Sequence, residues 1–459
     1  MSGGAPLPEP TKEPILSISD LKEAADRKLP SLVREFYNSG STDQRTIAAN
    51  SDAFTKYHLR SRVLVNVRGL DTSTTALGRK VRFPVGCAPA GIQGMAHEDG
   101  ELATARAAGR WGVNMGVSSF ASYAVEEVID AGKGVVETLD SGGMGEVVGS
   151  AYAMQLYPMR DRALQERIVK RAEKAGCTAI FLTGDSPVLG VRYNEWRNDF
   201  RTPEGIGFPN MERTSRQIRE STHDDGFAKM NDDSAAWTTE IKWLKERTKM
   251  KIFVKGVICG EDVRAAIESN ADGVIVSNHG GRQLDGVPAT IDVLEECAAA
   301  AEGKIEVHMD GGVRKGSDIF IAVALGAKCV YVGRPVLWAL AYGGQAGVER
   351  MLEVFGHQSK LLGSHGSRWC VETPEARKQT IISNLEEATA GLWGMVLRDE
   401  HYQDFLWTFI PDFMTGAHQE LEYNSNDDIW IYNIYSLKGN HELVRDQKAR
   451  NSNGEHMRW

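Results

Sequence analysis

Several short apolar segments of the chain end in side chains suited to acid–base or anion chemistry. Asp185 follows the segment AIFLTG, Lys255 lies within KIFVKGV, and His279 follows GVIVSN. An imidazole suits proton abstraction near neutral pH, and a neighbouring carboxylate holds the imidazolium that forms. Arg282 lies three residues beyond His279, and a guanidinium binds a carboxylate through two parallel hydrogen bonds. This pattern places a base and an anion-binding group beside one small ligand.

Two glycine–arginine segments have the chemistry of a phosphate site. DGGVR begins at Asp310 and ends at Arg314, and the second segment is Gly333-Arg334. The glycines leave backbone N–H groups without side-chain cover, and each arginine adds a fixed positive charge. The alternative is that these glycines only form tight turns. The phosphate interpretation implies a phosphorylated cofactor or substrate.

Each of the three catalytic candidates also has a structural interpretation. His279 fits a satisfied polar residue at a strand end, and Asp185 begins Asp-Ser-Pro, which also indicates a turn. Lys255 lies in an apolar segment, and a buried ammonium needs an anionic partner. That partner is either a ligand or a neighbouring acid that forms an ion pair. The pattern leaves these alternatives open.

The segments belong to a regular alternation of short β-branched runs and amphipathic helical stretches. The strand candidates begin at Phe83, Val113, Tyr152, Ala179, Lys251, Gly273, Ile305 and Cys329. Eight strand–helix units over roughly 250 residues predict an α/β fold, a closed (β/α)8 TIM barrel. A doubly wound open sheet is the alternative, but it would have a glycine-rich phosphate turn after its first strand, and FPVGCAPA has none. In a TIM barrel ligands bind at the carboxyl ends of the strands, so the charged residues above converge.

Further segments flank or interrupt the barrel domain, which we expect to span residues 15–365 with its N-terminal helices. The polar, proline-rich residues 1–14 predict a disordered lead-in. Helices are predicted in SDLKEAADRKL and SLVREFYNSG. The polar stretch 202–233, after strand four, predicts a long mobile loop without an apolar stripe on the active-site face, a candidate lid. Residues 366–459 form an atypical C-terminal extension of unknown role.

The composition indicates an ordinary globular enzyme. Of the 459 residues 42% are hydrophobic and 25% are charged, which excludes wholesale disorder, and the net charge of −9 argues against nucleic-acid binding. The six cysteines lie at least 32 residues apart, so we expect reduced thiols and no metal site. There is no signal peptide, no apolar run of about 18 residues and no C-terminal Ser-Lys-Leu, which predicts a cytoplasmic protein without a membrane partner.

Five motifs resemble those of one known family, the FMN-dependent α-hydroxy acid oxidases and dehydrogenases, which includes glycolate oxidase, lactate oxidase and lactate monooxygenase. The motifs are LTGDSPVLGVR from Leu182, FVKGV around Lys255, SNHGGRQLDGVPAT from Ser277, DGGVRKGSD from Asp310 and VGRPVLW from Val332. The resemblance runs from about residue 21 to about residue 363. It implies a barrel that binds FMN and oxidises an L-2-hydroxy acid.

The resemblance also implies roles for individual residues. The catalytic residues are expected to be His279 as the general base, Asp185 holding it, and Lys255 on the N1 side of the flavin. Substrate contacts are expected from Phe36, Tyr157, Arg192, His279 and Arg282. FMN contacts are expected from Pro89, Ala90, Gly91, Ser118, Gln155, Tyr157, Thr183, Lys255, Ser277, Asp310, Gly311, Gly312, Val313, Arg314, Gly333 and Arg334.

Three positions depart from the pattern of that family. Phe36, with Tyr37 beside it, stands where the family has a tyrosine that binds the substrate carboxylate. Phe120 stands where glycolate oxidase has a tryptophan. Gly91 stands where most oxidases have alanine, and in this it resembles lactate monooxygenase, which also has glycine. These changes make the predicted pocket more apolar and somewhat roomier. We therefore expect a 2-hydroxy acid that is larger or more apolar than glycolate.

The implied reaction converts the 2-hydroxy acid to the 2-oxo acid, with O2 reoxidising FMN and giving peroxide. Oxidative decarboxylation, as in lactate monooxygenase, and a dehydrogenase with another acceptor are the alternatives. Two hypotheses belong to other classes. One is a flavin-free phosphate-binding isomerase or aldolase with Lys255 as a Schiff-base amine, and the other is a flavin-binding subunit without turnover. We expect a small-molecule 2-hydroxy acid and O2 as partners, and a homo-tetramer or other homo-oligomer.

Overall fold

The computed structural model describes residues 14–60, 72–133, 150–220, 223–364, 370–372, 419–424 and 429–434. Most of the predicted lead-in and most of the predicted C-terminal extension therefore lie outside the described residues. The chain divides into two units, Met1–Pro374 and Glu375–Trp459. In the second unit the strands Gln419–Asn424 and Ile429–Ile434 pair as an antiparallel hairpin. Across the described ranges, no helix combines the length and the apolar character needed to cross a membrane.

Eight parallel strands close into a barrel, which confirms the predicted (β/α)8 fold. In chain order they are β1 (Val85–Cys87), β2 (Asn114–Val117), β3 (Tyr152–Leu156), β4 (Ala179–Thr183), β5 (Lys251–Val257), β6 (Gly273–Val276), β7 (Glu306–Asp310) and β8 (Cys329–Val332). Every one lies within a segment that the sequence predicts as a strand. The pairing of β8 with β1 closes the ring, with Val330 opposite Val85.

A helix follows each strand and covers the outside of the barrel. They are α1 (Gly100–Trp111), α2 (Val125–Lys133), α3 (Arg162–Ala175), α4 (Trp237–Lys245), α5 (Gly260–Glu268), α6 (Thr290–Ala301), α7 (Gly316–Ala324) and α8 (Arg334–Ser364). The Asp161 side chain caps α3 by accepting a hydrogen bond from the Leu164 N–H at 2.9 Å. Helix α8 is kinked at Gly343 and Gly344, where the backbone leaves the helical region.

Three aromatic rings fill the inside of the barrel. Phe181 contacts Phe253 and Tyr331 edge-on, with ring centroids 6.1 and 5.3 Å away, and all three rings are buried. Space for these rings comes from glycines on neighbouring strands, because a Cβ on Gly273 would lie 2.3 Å from the Phe253 ring and one on Gly86 would lie 2.6 Å from Tyr331. The barrel is thus a packed core, and only its carboxyl end is free to form a site.

The N-terminal helices Ile18–Lys28, Ser31–Asn38 and Arg45–Asp52 precede the barrel. The first of them packs against α8. It begins slightly earlier than the predicted segment SDLKEAADRKL, because Ser17 and Asp20 form a capping box ahead of it. Two short antiparallel pairs complete the first unit. They are His58–Arg60 with Cys370–Glu372, and Thr74–Ala76 with Arg79–Val81.

The long segment between β4 and β5 contains more structure than its polar composition indicates. Short helices lie at Tyr193–Arg197, Pro209–Met211, Ser215–Arg219 and His223–Met230. Phe208, Met211, Phe227 and Met230 in this segment are buried. These four residues lie on or beside several short helices. The sequence therefore shows no apolar stripe with the period of one long helix. The segment is therefore packed onto the barrel through apolar contacts.

Gly273→Ala is expected to destabilise the barrel. The new methyl would meet both the Phe253 ring and the Glu306 carbonyl at 2.3 and 2.6 Å, and neither can move freely. Overpacking of this kind lowers the free energy of unfolding by about 1–3 kcal/mol. Urea denaturation followed by circular dichroism measures the loss. Gly343→Ala is the matched control, because no heavy atom lies within 4 Å of its Cβ position; equal midpoints for the two variants would contradict this account of the core.

Candidate active site

A large cavity opens at the carboxyl end of the barrel, and every strand, or the segment directly after it, contributes a residue to its lining. Nearly all of the predicted site residues line this cavity. They are Phe36, Pro89, Ala90, Gly91, Ser118, Gln155, Tyr157, Thr183, Arg192, Lys255, His279, Arg282, Asp310, Gly311, Gly312, Val313, Arg314, Gly333 and Arg334. The two others, Asp185 and Ser277, lie behind the wall and hydrogen-bond to residues that form it. Side chains that are up to about 300 positions apart in sequence thus share one space.

One end of the cavity is a strongly positive cradle of backbone and arginine groups. Gly311 and Gly312 have φ values of +106° and +77°, and a Cβ on Gly312 would lie 1.9 Å from the Asn50 carbonyl oxygen, so only glycine fits there. The Arg314 guanidinium lies 5.1 Å from the Trp338 ring centroid. The Arg334 guanidinium donates to the backbone carbonyls of Tyr37, Ser39 and Gly280.

These two arginines carry buried positive charge. Burial lowers the pKa of both guanidiniums; the charge of Asp318 opposes this shift at Arg314, whereas the charges of Arg282 and Arg314 lower the pKa of Arg334 further. Within the described ranges, neither Arg314 nor Arg334 forms an ion pair with a carboxylate. A buried unpaired cation is costly, and a phosphate dianion is the group whose charge and acceptor oxygens match this cradle.

Lys255 has an acidic partner in the middle of the cavity. Its ammonium nitrogen Nζ lies 3.5 Å from Asp310 Oδ2 and donates to Ser277 Oγ at 2.8 Å. Both charged side chains are almost fully buried. Of the two alternatives for Lys255, a ligand or a neighbouring acid, the structure shows the neighbouring acid as its partner. The other carboxylate oxygen, Asp310 Oδ1, is buried and has no hydrogen-bond partner in the described structure, so it is an acceptor available to a ligand hydroxyl.

His279 and Asp185 form a hydrogen-bonded pair at the cavity wall. The imidazole Nδ1 lies 2.9 Å from Asp185 Oδ1, so Nδ1–H donates to the carboxylate and Nε2 is the unprotonated nitrogen. Burial would raise the pKa of Asp185, but the charges of His279 and Lys255 and the hydrogen bonds lower it to about 2. Burial lowers the pKa of His279 below its ordinary value, although Asp185 opposes this shift. At neutral pH the pair is a neutral imidazole beside a carboxylate, which is the resting state of a general base.

The backbone at His279 is held in an uncommon conformation. Its φ is +58°, and Gly280 and Gly281 follow at +62° and +75°. The Ser277 hydroxyl accepts the His279 N–H at 3.1 Å, and the Asn278 side chain accepts from the Gly281 N–H. Strain of this kind persists only when surrounding contacts impose it, and it is concentrated at active sites.

Arg192 and Arg282 both line the cavity and share one contact, Glu195. Arg192 Nη1 donates to Glu195 Oε1 at 3.1 Å, and Arg282 Nη2 lies 3.3 Å from the same oxygen. Arg282 Nη1 also donates to the Phe36 and Ser39 carbonyls, and its guanidinium lies 5.0 Å from the Phe36 ring centroid. The pair is thus anchored from behind while both residues line the cavity, as a carboxylate site requires.

Aromatic rings enclose the remaining side of the cavity. Phe36 stacks on Phe200 with centroids 4.2 Å apart and planes 12° from parallel. Tyr157 contacts both Phe120, at 5.8 Å, and Phe227, at 5.2 Å edge-on. Burial raises the pKa of Tyr157, so its hydroxyl stays protonated. The wall is apolar except for this hydroxyl.

The structure also shows the surroundings of two positions that depart from the family pattern. The Tyr37 hydroxyl donates a hydrogen bond to the Ile92 carbonyl at 2.7 Å, so it does not donate to a substrate carboxylate. Phe36 has no hydroxyl that could do so in its place. A methyl on Gly91 would lie 3.3 Å from Phe120 Cβ. The absence of that methyl therefore leaves space directly beside the Phe120 side chain.

Sequence reasoning missed several residues of this site. Glu195, Phe200, Phe227 and Trp338 were not predicted, although each contacts a predicted residue. A signal was available only for Glu195, which lies three positions after Arg192 at the spacing of helical ion pairs. The three aromatic residues reach the site through tertiary packing, which no local spacing reveals.

The chain is similar to known proteins over most of its length. The profile of a family described as FMN-dependent dehydrogenase matches residues 25–362. The 2-hydroxyacid oxidase 1 of Homo sapiens is 42% identical over 354 residues, which cover 76% of this chain and 91% of that protein. Glycolate oxidase 3 of Arabidopsis thaliana is 44% identical over 351 residues, with the same coverages of 76% and 91%. A solved structure of mandelate oxidase with (S)-4-hydroxymandelic acid matches with a TM-score of 0.70 and 34% identity, covering 78% of this chain and 99% of that one.

Asp185→Asn is expected to lower the pKa of His279. The carboxylate opposes the effect of burial on the imidazole, so its removal takes away a stabilising charge 2.9 Å from Nδ1. A charge partner at this distance changes a pKa by about 1–3 pH units. NMR titration of ¹³C-labelled histidine measures the value, with His279→Gln identifying the resonance. Asp130→Asn removes an exposed carboxylate on α2 and serves as the control; the same His279 pKa in both variants would rule out the pairing.

Proposed function

The chain belongs to the FMN-dependent α-hydroxy acid oxidase family, and from this membership we propose that its preferred substrates are 2-hydroxy acids with large apolar side chains. It is an oxidoreductase that acts on the CH–OH group of a 2-hydroxy acid and uses FMN as its cofactor. Membership in a flavin-dependent enzyme family removes the flavin-free isomerase or aldolase hypothesis and the hypothesis of a subunit without turnover. The side chain of the acid is the part that we propose.

The residues of the cavity fit FMN by charge and by hydrogen-bonding capacity. Arg314 and Arg334, with the N–H groups at Gly311 and Gly312, would hold the phosphate, and the unpartnered Asp310 Oδ1 would accept from a ribityl hydroxyl. The flavin ring would lie among Pro89, Ala90, Gly91, Ser118, Gln155, Thr183 and Lys255, with Ser277 at the ribityl chain and Gly333 at the phosphate. Val313, another predicted FMN contact, lines the same cavity. FMN supplies a two-electron acceptor for the hydrogen that leaves the carbinol carbon.

The protein side chains supply the acid–base and binding chemistry. Arg192 and Arg282 would hold the substrate carboxylate, and this fixes the carbinol group within the cavity. His279 Nε2 would accept a proton from the substrate, because its Nδ1 is engaged with Asp185. The Asp185 carboxylate then stabilises the imidazolium in place. Lys255, although paired with Asp310, would stabilise negative charge at the centre of the cavity.

The observation that carries the substrate proposal is the aromatic wall. Phe36 stacks on Phe200, and Phe120 and Phe227 complete an apolar enclosure without a hydroxyl other than that of Tyr157. A second cavity lies beyond Phe120 and Phe227, whose rings line both spaces. Its other lining residues include the apolar Phe200, Phe208, Met211, Ile218 and Met230 and the polar Arg201, Thr202 and Arg213. An apolar side chain of the acid would gain free energy by packing against the aromatic wall, at about 25 cal/mol per Å² removed from water.

One of the structural relatives supports the same class of acid. Mandelate oxidase, which matches this barrel, has been solved with (S)-4-hydroxymandelic acid, whose side chain is aromatic. We propose O2 as the electron acceptor, with peroxide as the product. The space at Gly91 favours oxidative decarboxylation as the second candidate, because the missing methyl leaves room beside Phe120. The homo-oligomeric state and the cytoplasmic location stay predictions.

His279→Ala is expected to keep FMN bound and to slow flavin reduction by about 10²–10⁴-fold, the contribution of a positioned general base. FMN retention follows because the segments after β7 and β8 form the phosphate cradle, whereas the His279 imidazole hydrogen-bonds to Asp185. Anaerobic stopped-flow absorbance measures the reduction rate with a saturating 2-hydroxy acid. His357→Ala, on an exposed part of α8, is the control. Reduction at the wild-type rate in His279→Ala would show that the imidazole is structural.

A panel of 2-hydroxy acids under anaerobic conditions tests the substrate proposal. Wild-type protein is expected to favour aromatic and long-chain acids over glycolate and lactate. Phe36→Tyr is expected to improve the small acids more than the bulky ones, since a hydrogen bond to a charged carboxylate contributes about 1.5–3 kcal/mol and matters most where apolar contacts are few. Tyr37→Phe is the matched control, because that hydroxyl contacts Ile92. Glycolate or lactate as the best substrate, together with an equal effect of Phe36→Tyr on all acids, would refute the proposed class.

A further inference from the structure

We infer that Glu101 is a positioning residue: it links the β1 loop (residues 88–95) to the β2 loop (residues 118–123) and so fixes the backbone of Ala90 and Gly91 at the cavity. The inference rests on the proposed function, in which that backbone lies beside the flavin ring. Glu101 is not among the residues that line the cavity. It therefore acts on the reaction through the two loops.

The carboxylate of Glu101 is buried between the two loops, in the first turn of α1. The residue is 0% exposed. Its Oε1 atom accepts from the Gln93 N–H at 3.0 Å and from the Ser122 N–H at 3.1 Å. Gln93 belongs to the β1 loop and Ser122 to the β2 loop, so one oxygen atom joins them. Without this oxygen, two backbone donors in the protein interior would lose their acceptor, which is costly.

Further hydrogen bonds join the same two loops. The Gly94 N–H donates to Ser122 Oγ at 3.0 Å, and the Ile92 N–H donates to the Phe120 carbonyl at 2.9 Å. The β1 loop is thus bonded to the β2 loop on both sides of the Gln93 N–H that Glu101 accepts. The two loops behave as one unit as long as these bonds are made.

The link extends to residues of the cavity itself. The Gln93 side chain donates from Nε2 to the Ala90 carbonyl at 3.2 Å. Ala90 and Gly91 on one loop, and Ser118 and Phe120 on the other, line the cavity. The position of the Gln93 backbone, which Glu101 holds, therefore sets the position of the backbone proposed to face the flavin.

The β1 loop is strained at the residue beside this hydrogen bond. Ile92 has φ +58° and ψ +42°, the left-handed region that a β-branched residue rarely adopts. Such strain persists only where surrounding contacts impose it. Here the N–H of Ile92 and the N–H of the next residue, Gln93, are both bonded, to Phe120 and to Glu101. Loss of the Glu101 acceptor would let the backbone relax at Ile92 and turn the adjoining Gly91 with it.

Hydrogen bonding rather than ion pairing holds the Glu101 side chain. It forms no ion pair with any side chain that the structure describes. Burial raises its pKa to about 7, although the bonds from Ser122 and Gln93 oppose this shift. Oε2 is buried and has no hydrogen-bond partner among the described residues. A neutral group with one acceptor oxygen in the place of Oε1 is therefore sufficient to link the loops.

Glu101→Ala tests the link in the FMN-loaded protein by two measurements. Amide hydrogen exchange, followed by mass spectrometry, is expected to become about tenfold faster or more in residues 88–95 and 118–123. In anaerobic stopped-flow experiments the limiting rate of flavin reduction is expected to fall by about 10–10²-fold, since a misplacement of about 1 Å has effects of this size. The half-saturating concentration of the acid is expected to change by less than about threefold, because Arg192 and Arg282 lie on other segments.

Two controls separate the link from general stability. Glu101→Gln keeps the acceptor oxygen and is expected to retain the wild-type exchange and reduction rates. Glu173→Ala removes another glutamate whose Oε1 accepts from two donors, Thr248 Oγ1 and the Lys249 N–H, both at 2.9 Å, at the amino end of the barrel. It is expected to leave flavin reduction unchanged. Unchanged exchange and reduction in Glu101→Ala would overturn the inference. An equal loss in Glu101→Gln or in Glu173→Ala would overturn it as well, because the acceptor at this place is then not the cause.

A milder variant tests the inference if Glu101→Ala fails to fold. Ser122→Ala removes the hydroxyl that accepts from the Gly94 N–H and leaves Glu101 in place. Faster exchange in residues 88–95 and a fall in the reduction rate of about threefold or more are expected. Wild-type values for both would contradict the link. Failure of every 2-hydroxy acid to reduce the wild-type flavin is a different result, because it would refute the proposed function, whereas hydrogen exchange still reports on the two loops.

Discussion

Buried positive charge at the carboxyl end of the barrel is the constraint on which the rest of the site depends. Arg192, Lys255, Arg282, Arg314 and Arg334 all line one cavity. Cations in a low-dielectric interior are stable only when anions meet them. The protein supplies Asp310 to Lys255 and Glu195 to Arg192 and Arg282. Arg314 and Arg334 form no ion pair with a carboxylate among the described residues, so the phosphate of a cofactor would match their charge.

The barrel provides the rigid frame that holds these charges in place. Its interior is filled by Phe181, Phe253 and Tyr331, so the strand ends cannot collapse towards the axis. The frame also imposes the positive φ of His279, which orients the imidazole towards Asp185. A base whose neutral form is favoured by burial, beside an ionised carboxylate, is ready to accept a proton at neutral pH.

Polar and apolar groups lie on different sides of the cavity and would contact different parts of the substrate. In the proposed function the arginines would bind the end of the substrate that all 2-hydroxy acids share, whereas Phe36, Phe120 and Phe227 would face the part that differs between them. The segment between β4 and β5 contributes to both sides of the cavity. Its Glu195 forms ion pairs with the two arginines, and its Phe200 and Phe227 pack on the apolar side.

The sequence by itself determined the barrel and the charged residues that line the cavity, because alternating strands and helices impose one topology and TIM barrels place ligands at strand ends. His279, Lys255 and Asp310 belong to segments whose local pattern places them there. Only the tertiary structure decided that Glu195 bridges two arginines, that Phe36 stacks on Phe200, and that Phe227 reaches the cavity. The physical reason is that these contacts join elements far apart in the chain, and the direction of each side chain is set by packing rather than by local spacing.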